Sequence, residues 1–105
     1  MTKLNLPGKL QSIDSYVFYN CASLNDISIP DTVTSIGGSA FYGCKSLRNI
    51  SIPNKVTSLG DSAFYNCQNL AQIEIGTGLK TIGSSAFGGC QKVEKLLIRS
   101  SSVVD

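Results

Sequence analysis

Apolar and polar positions along this chain repeat with a period of 23 residues. Phenylalanines and cysteines keep that spacing most strictly, and several aliphatic positions stay in step with them. We call the residues at one position of successive repeats a column, and the sharpest columns are Phe18, Phe41, Phe64, Phe87 and Cys21, Cys44, Cys67, Cys90. Self-similarity at a fixed period of roughly 20 to 50 residues is typical of repeat architectures.

Each repeat contains three short elements. Residues 27–29 alternate apolar and polar with β-branched side chains, which predicts a short half-buried strand. Pro30 ends that strand because proline has no amide hydrogen to donate to a sheet ladder. Residues 33–36 form a second extended piece, and Gly37 gives the backbone freedom to turn. Residues 40–44 are short enough for one helical or 3₁₀ turn.

A single repeat cannot bury its own apolar side, whereas stacked copies bury a continuous core. The sequence therefore predicts one domain over residues 1–105, built as a solenoid of about four repeats. Its expected architecture has a parallel β-sheet on one face. The other face is expected to carry short strands and helical or 3₁₀ turns.

Both ends of the chain depart from the pattern. In the degenerate first repeat, Asp14 stands in the glycine column, which otherwise contains Gly37, Gly60 and Gly83. Val17 likewise stands in the alanine column of Ala40, Ala63 and Ala86. At the other end, Ser102 and Asp105 take positions where core apolar residues are expected. Solenoids need polar caps for solubility, and neither end has the pattern of one. We therefore expect a fragment of a longer chain, with a protomer whose bare end is covered by a partner as the alternative. The uncapped ends also allow end-to-end self-association.

The repeat resembles the BspA-like leucine-rich repeat family, and the resemblance covers nearly the whole chain. The residues that carry it in the second repeat are Leu24, Ile27, Ile29-Pro30, Ile36-Gly37, Ala40-Phe41 and Cys44. The resemblance implies a leucine-rich-repeat solenoid with a parallel sheet along one face. It also implies a bacterial, protozoan or phage surface protein that adheres to host or matrix partners.

Composition narrows the class of protein further. Hydrophobic residues make up 42% of the chain, which argues against disorder. The formal net charge of +2 is too small to predict binding to nucleic acid or to an anionic membrane. No apolar run approaches the roughly 20 residues of a membrane helix, and no apolar signal segment follows Met1. We expect a surface or extracellular location as part of a longer protein, or a cytoplasmic one if the chain is complete.

Catalytic chemistry has little support. The chain contains no histidine, so Ser-His and Cys-His nucleophilic pairs are excluded. Its carboxylates are scattered over different columns rather than paired: Asp14, Asp26, Asp31, Asp61, Glu74, Glu94 and Asp105. An enzyme with an unrecognised site stays a minor alternative, and we expect neither catalytic residues nor a cofactor.

The cysteine column raises the question of disulfides and metal. Neighbouring rungs of a stacked sheet lie about 4.8 Å apart, which is within the Cα separation of roughly 4.4–6.8 Å that a disulfide tolerates. Side chains in one column, however, point the same way rather than toward each other, and zinc needs four ligands that converge on one point. We expect buried thiols, with no disulfide and no metal: Cys21, Cys44, Cys67 and Cys90.

Tyrosines form a second stripe, one position after the phenylalanines: Tyr19, Tyr42 and Tyr65. The favoured interpretation is that the rings cover the turns and leave their hydroxyl groups in water. The alternative is a weaker candidate binding site, an aromatic platform for a glycan or a peptide.

The outward side of the parallel sheet is the leading candidate for a binding surface. Because side chains alternate across a strand, Ile27 and Ile29 face inward and their polar neighbours face out. The candidate residues are Asp26, Ser28, Arg48, Asn49, Ser51, Gln72, Glu74 and Lys95. Arg48 and Glu74 are the expected anchors, since charged groups on a rigid sheet pair without a large ordering cost.

These observations favour an interaction module that binds a protein or a glycan, as part of a cell-surface or phage-borne adhesin. The alternative is a passive stalk or spacer that has no ligand of its own.

Overall fold

The computed structural model describes residues 3–98, and for residues 3–5 it describes the backbone only. The predicted end positions Ser102 and Asp105 therefore lie outside the described residues. Nine short strands follow one another within the described residues: β1 Lys3–Asn5, β2 Ser12–Ile13, β3 Asp26–Ser28, β4 Ser35–Ile36, β5 Asn49–Ile52, β6 Ser58–Leu59, β7 Gln72–Ile75, β8 Thr81–Ile82 and β9 Lys95–Ile98.

All strand pairs are parallel, and paired residues lie one repeat apart. The even-numbered strands form one sheet in the order β2-β4-β6-β8, and the odd-numbered strands form β1-β3 and β5-β7-β9. Ile50 pairs with Ile73, and Ile36 pairs with Leu59. The ladder is interrupted between β3 and β5, which still lie side by side. This arrangement confirms the predicted leucine-rich-repeat solenoid of about four turns.

The core is built from the apolar columns. The isoleucines of β5 and β7 are buried while their neighbours alternate toward solvent, as a half-buried strand requires. Within the core the phenylalanine rings stack face to face, with the centroids of Phe41 and Phe64 4.9 Å apart and their planes inclined by 6°. Phe18 and Phe87 continue the stack at the two end coils, where they are only partly buried.

The turn side differs from the predicted helical or 3₁₀ turn, because no helix occurs between residues 3 and 98. The amide of Tyr42 donates within the turn to the carbonyl of Ser39 at 3.2 Å, but the amide of Phe41 donates to Ala63 of the next coil at 2.7 Å. Left-handed backbone at Ser39 and Gly43, with φ of 54° and 73°, interrupts any helical run. Every second amide therefore donates to a neighbouring coil, whereas in a helix all of these amides would donate to carbonyls of the same coil.

Candidate functional site

The predicted binding surface is the outward side of β3, β5, β7 and β9, which we call the sheet face. Two columns of side chains run along it, across the strands. The register pairs Asn49 with Gln72, and Gln72 with Lys95, while Asp26 continues this first column on β3. The second column contains Ser28, Ser51 and Glu74, and pairs Ser51 with Glu74.

A shallow groove of about 260 Å³ crosses the sheet face and draws residues from all four of these strands. Six of the eight sequence-predicted residues line it: Asp26, Asn49, Ser51, Gln72, Glu74 and Lys95. Ser28 and Arg48 are exposed but lie outside the groove lining. Arg48 precedes β5, and its carbonyl accepts the amides of Ala71 and Gln72 at 2.8 and 3.2 Å.

The groove is polar along its walls and apolar at its base. Buried Ile27, Ile50 and Ile73 contribute to the lining beneath the polar side chains. The Ser51 hydroxyl donates to the carboxylate of Glu74 at 3.4 Å, and Glu74 is half-buried. The groove therefore presents hydroxyl, carboxamide and charged groups on a rigid, apolar-backed support.

A second groove of about 170 Å³ adjoins the first where β5 and β7 end. Asp31 and Asn54 line it together with Ser51 and Glu74. The Asn54 carboxamide oxygen accepts the amide hydrogen of Thr77 at 3.0 Å. Sequence reasoning missed Asp31 and Asn54 as neighbours of the sheet face. The signal that could have found them is the strand-ending proline before each, which turns the chain back beside the strand.

The tyrosine stripe lies on the turn side, away from the sheet face. The rings of Tyr19 and Tyr42 stack with centroids 4.9 Å apart, and those of Tyr42 and Tyr65 follow at 5.2 Å. A Cβ atom on Gly88, in the next coil, would lie 2.7 Å from the ring of Tyr65. Because each ring covers the face of its neighbour, the stripe presents edges and hydroxyl groups rather than flat faces. This geometry supports the interpretation that the rings cover the turns.

The cysteine column lies within the core and consists of four free thiols. Cys44 and Cys67 are buried, while Cys21 and Cys90 belong to the end coils and are half-buried. Each of the last three thiols donates to the carbonyl of a phenylalanine in the preceding coil, at 3.2 to 3.3 Å. The column therefore fills space and satisfies backbone acceptors.

Thiol acidity differs along the column. Burial raises the pKa of the Cys44 thiol to about 11, with a smaller contribution from the neighbouring Cys21. Interaction with the neighbouring Cys90 thiol, together with burial, raises the pKa of Cys67, and interaction with the Cys67 thiol lowers the pKa of Cys90. Only the thiolate is a strong nucleophile.

We expect Cys90 to react with iodoacetamide well before Cys44 and Cys67 at pH 8. Cys90 is half-buried and has the lowered pKa, whereas the two central thiols stay protonated and enclosed. Peptide mass spectrometry at timed quenching gives the order of labelling, and unfolding in urea is expected to equalise the rates. Equal rates in the folded protein would contradict the buried column.

Neither a metal-binding cluster nor a membrane-spanning helix occurs within residues 3–98. Within residues 3–98, no three Cys, Asp or Glu side chains gather as a metal site would require. That stretch likewise contains no helix of the length and apolarity that crossing a bilayer requires.

Comparison with known proteins leads to leucine-rich repeat proteins. The family model of the BspA type leucine rich repeat region (6 copies) matches residues 1–104. A leucine-rich repeat protein from Bacteroides ovatus superposes with a TM-score of 0.84 and 32% sequence identity over 91% of this chain. A leucine rich cell surface protein from Faecalibacterium prausnitzii gives a TM-score of 0.82 and 26% identity over 96% of this chain.

The T. pallidum leucine rich repeat protein is more distant, with 21% identity and a TM-score of 0.72 over 90% of this chain, and it supports the fold alone. The chain spans 24% of the Bacteroides protein and 33% of the Faecalibacterium protein. A search of the curated proteins finds no match.

Proposed function

The chain belongs to the BspA-type leucine-rich repeat family, and from that premise we propose that it is an interaction module that binds a protein or a glycan through the sheet face. The observation that carries the proposal is the groove of about 260 Å³, which unites side chains of β3, β5, β7 and β9 on one surface. Leucine-rich-repeat solenoids are in general binding or scaffold modules rather than enzymes.

Physical features of the sheet face favour binding. Its side chains stand on short strands held in parallel register, so a partner meets groups that need little further ordering. Seven of the eight candidate residues are exposed, and Glu74 is half-buried. A polar surface of mixed charge suits a reversible contact with another macromolecule.

We propose a cell-surface setting, in which this module is part of a longer adhesin. Two observations support this: the related Faecalibacterium protein is a cell surface protein, and the chain spans only a third of it. End-to-end self-association stays a prediction, consistent with Ile82, Leu96 and Ile98, which are more than half exposed in the last described coil.

The sheet face is tested by replacing Arg48, Gln72 and Glu74 together with alanine. We expect the triple variant to lose at least about tenfold in affinity, since a few anchor residues carry most of a binding energy. Binding is measured by biolayer interferometry against a panel of purified extracellular-matrix proteins, and in parallel on a glycan array. Circular dichroism and urea unfolding check that the fold is intact.

The matched control is the variant with alanine at Asp14, Lys45 and Gln68, three exposed residues off the sheet face. It removes the same number of charges of each sign and is expected to bind as the unmodified protein does. If the sheet-face variant binds equally well, the sheet face is not the binding surface and the proposal is wrong. If the unmodified protein binds none of the probes, the passive spacer is favoured. The parallel ladders that join consecutive coils would suit that second function.

A further inference from the structure

We propose that the ligand of the sheet-face groove is an extended peptide segment of a protein partner, with one basic and one acidic residue about four positions apart. This inference rests on the proposed function and names the chemistry of its ligand. The first column of the sheet face carries it.

Within the groove, that column has opposite charges at its two ends. Asp26 lies at one end of the groove and Lys95 at the other, with the carboxamides of Asn49 and Gln72 between them. Beyond Asp26, the register of the column continues to Lys3 on β1. All four side chains are exposed. Three strand spacings of about 4.8 Å separate the charged positions, or roughly 14 Å. An approaching chain therefore meets a negative group, two neutral groups and a positive group in a line across the strands.

The span of the column matches an extended peptide. An extended chain advances about 3.3 Å per residue, so it covers roughly 14 Å in about four residues. A lysine or arginine that contacts Asp26 then places a glutamate or aspartate four positions away near Lys95. The peptide lies along the solenoid axis, perpendicular to the strands.

The two central carboxamides suit a peptide backbone. Each carries both hydrogen-bond donors and acceptors, the combination that a peptide unit presents in return. Within β5 and β7 the backbone groups are already engaged in the parallel ladder. Side chains must therefore make these contacts, and Asn49 and Gln72 are the neutral ones in the first column.

A neutral glycan fits the same column less well. It offers no counter-charge to either end of the groove, and a charge that loses water without gaining a partner is costly. Carbohydrate rings also favour flat aromatic surfaces, and no aromatic residue lines the groove over the described part of the chain. The tyrosine rings lie on the turn side and cover each other.

The test uses two synthetic fluorescent nonapeptides of glycine, serine and threonine. The first carries one lysine and, four positions later, one glutamate, and the second carries lysine at both positions. In fluorescence polarisation at about 0.05 M salt, where screening is weak, we expect the unmodified protein to prefer the lysine–glutamate peptide by about fivefold. The Lys95→Glu variant is expected to prefer the lysine–lysine peptide instead.

Two controls accompany this reversal. Lys55→Glu makes the same charge change at an exposed position outside the groove, and it is expected to keep the original preference. Lys3 is the register neighbour of Asp26 on β1, so the Lys3→Ala variant tests the contribution of that residue, and we expect it to keep the original preference.

The outcomes separate this inference from the proposed function. A Lys95→Glu variant that keeps the original order of affinities overturns the inference. If neither peptide binds while a glycan of the array is lost in the sheet-face triple variant, the inference is wrong and the proposed function holds. If no peptide, matrix protein or glycan binds, both are wrong.

Discussion

Replacing Phe64 by alanine is expected to lower the free energy of unfolding by about 3–5 kcal/mol. The Phe64 side chain is completely buried. Its ring stacks on Phe41 at 4.9 Å and on Phe87 at 5.3 Å, with interplanar angles of 6° and 8°. Truncation removes both ring contacts and leaves a cavity in the core that neighbouring coils, held by their ladders, fill only in part.

The matched control is Phe87→Ala in the last described coil. Phe87 occupies the same column but is only partly buried, and Phe64 is the one ring that stacks on it among the described residues. We expect a loss of about half that of Phe64→Ala, measured by urea unfolding of both variants under identical conditions. Equal losses would show that burial along the stack does not set the stability of each coil.

The solenoid could be predicted because several columns keep one period at once. The isoleucines of β2 to β7, the phenylalanine rings and the cysteines face the core or its edge, whereas Ile82 and Ile98 of the last described coil are more than half exposed. The sheet-face columns followed from strand alternation, and the parallel register places them as predicted. Periodicity specifies which residues share a column, and the stacking of the coils brings the residues of each column next to one another.

Other features depend on contacts between coils, which a single repeat does not reveal. Residues 40–44 are short enough for a helical turn when one repeat is considered alone, but the amides of Phe41 and Gly43 donate to the next coil. The groove that joins Asp26 to Lys95 follows from the placement of four strands together. The ligand leaves still less trace in the sequence, because the groove side chains vary from one repeat to the next.

The role of the glycine column likewise depends on contacts between coils, which a single repeat does not reveal. Gly37 is predicted to free the backbone for a turn, but neither it nor Gly60 has a left-handed φ. The left-handed positions fall on Tyr16, on serines and asparagines such as Ser39, and on two other glycines, of which Gly43 is one. The column is glycine because adjacent coils approach each other there. Asp14 holds the equivalent place in the first coil, and no coil precedes it within the described residues.

Replacing Gly60 by alanine is therefore expected to cost about 3 kcal/mol or more of unfolding free energy. The added methyl carbon would lie 2.3 Å from the amide nitrogen of Gly38 and 2.6 Å from the carbonyl carbon of Gly37. Both are backbone atoms, so no side chain can rotate away, and the coils must separate instead. Overpacking a core costs about 1–3 kcal/mol, and a rigid neighbour puts this site at or above the upper end.

Gly38→Ala is the matched control, since it adds the same methyl group to a glycine that lies outside the glycine column, directly after Gly37 in the preceding coil. Its nearest atom would be the Asp61 carbonyl oxygen at 3.4 Å, and its backbone is not left-handed. We expect a change of less than about 1 kcal/mol, because relief of chain entropy in the unfolded state offsets a mild contact. Urea unfolding of the two variants compares them directly. Similar losses would mean that the Gly60 effect reflects backbone flexibility rather than the approach of neighbouring coils.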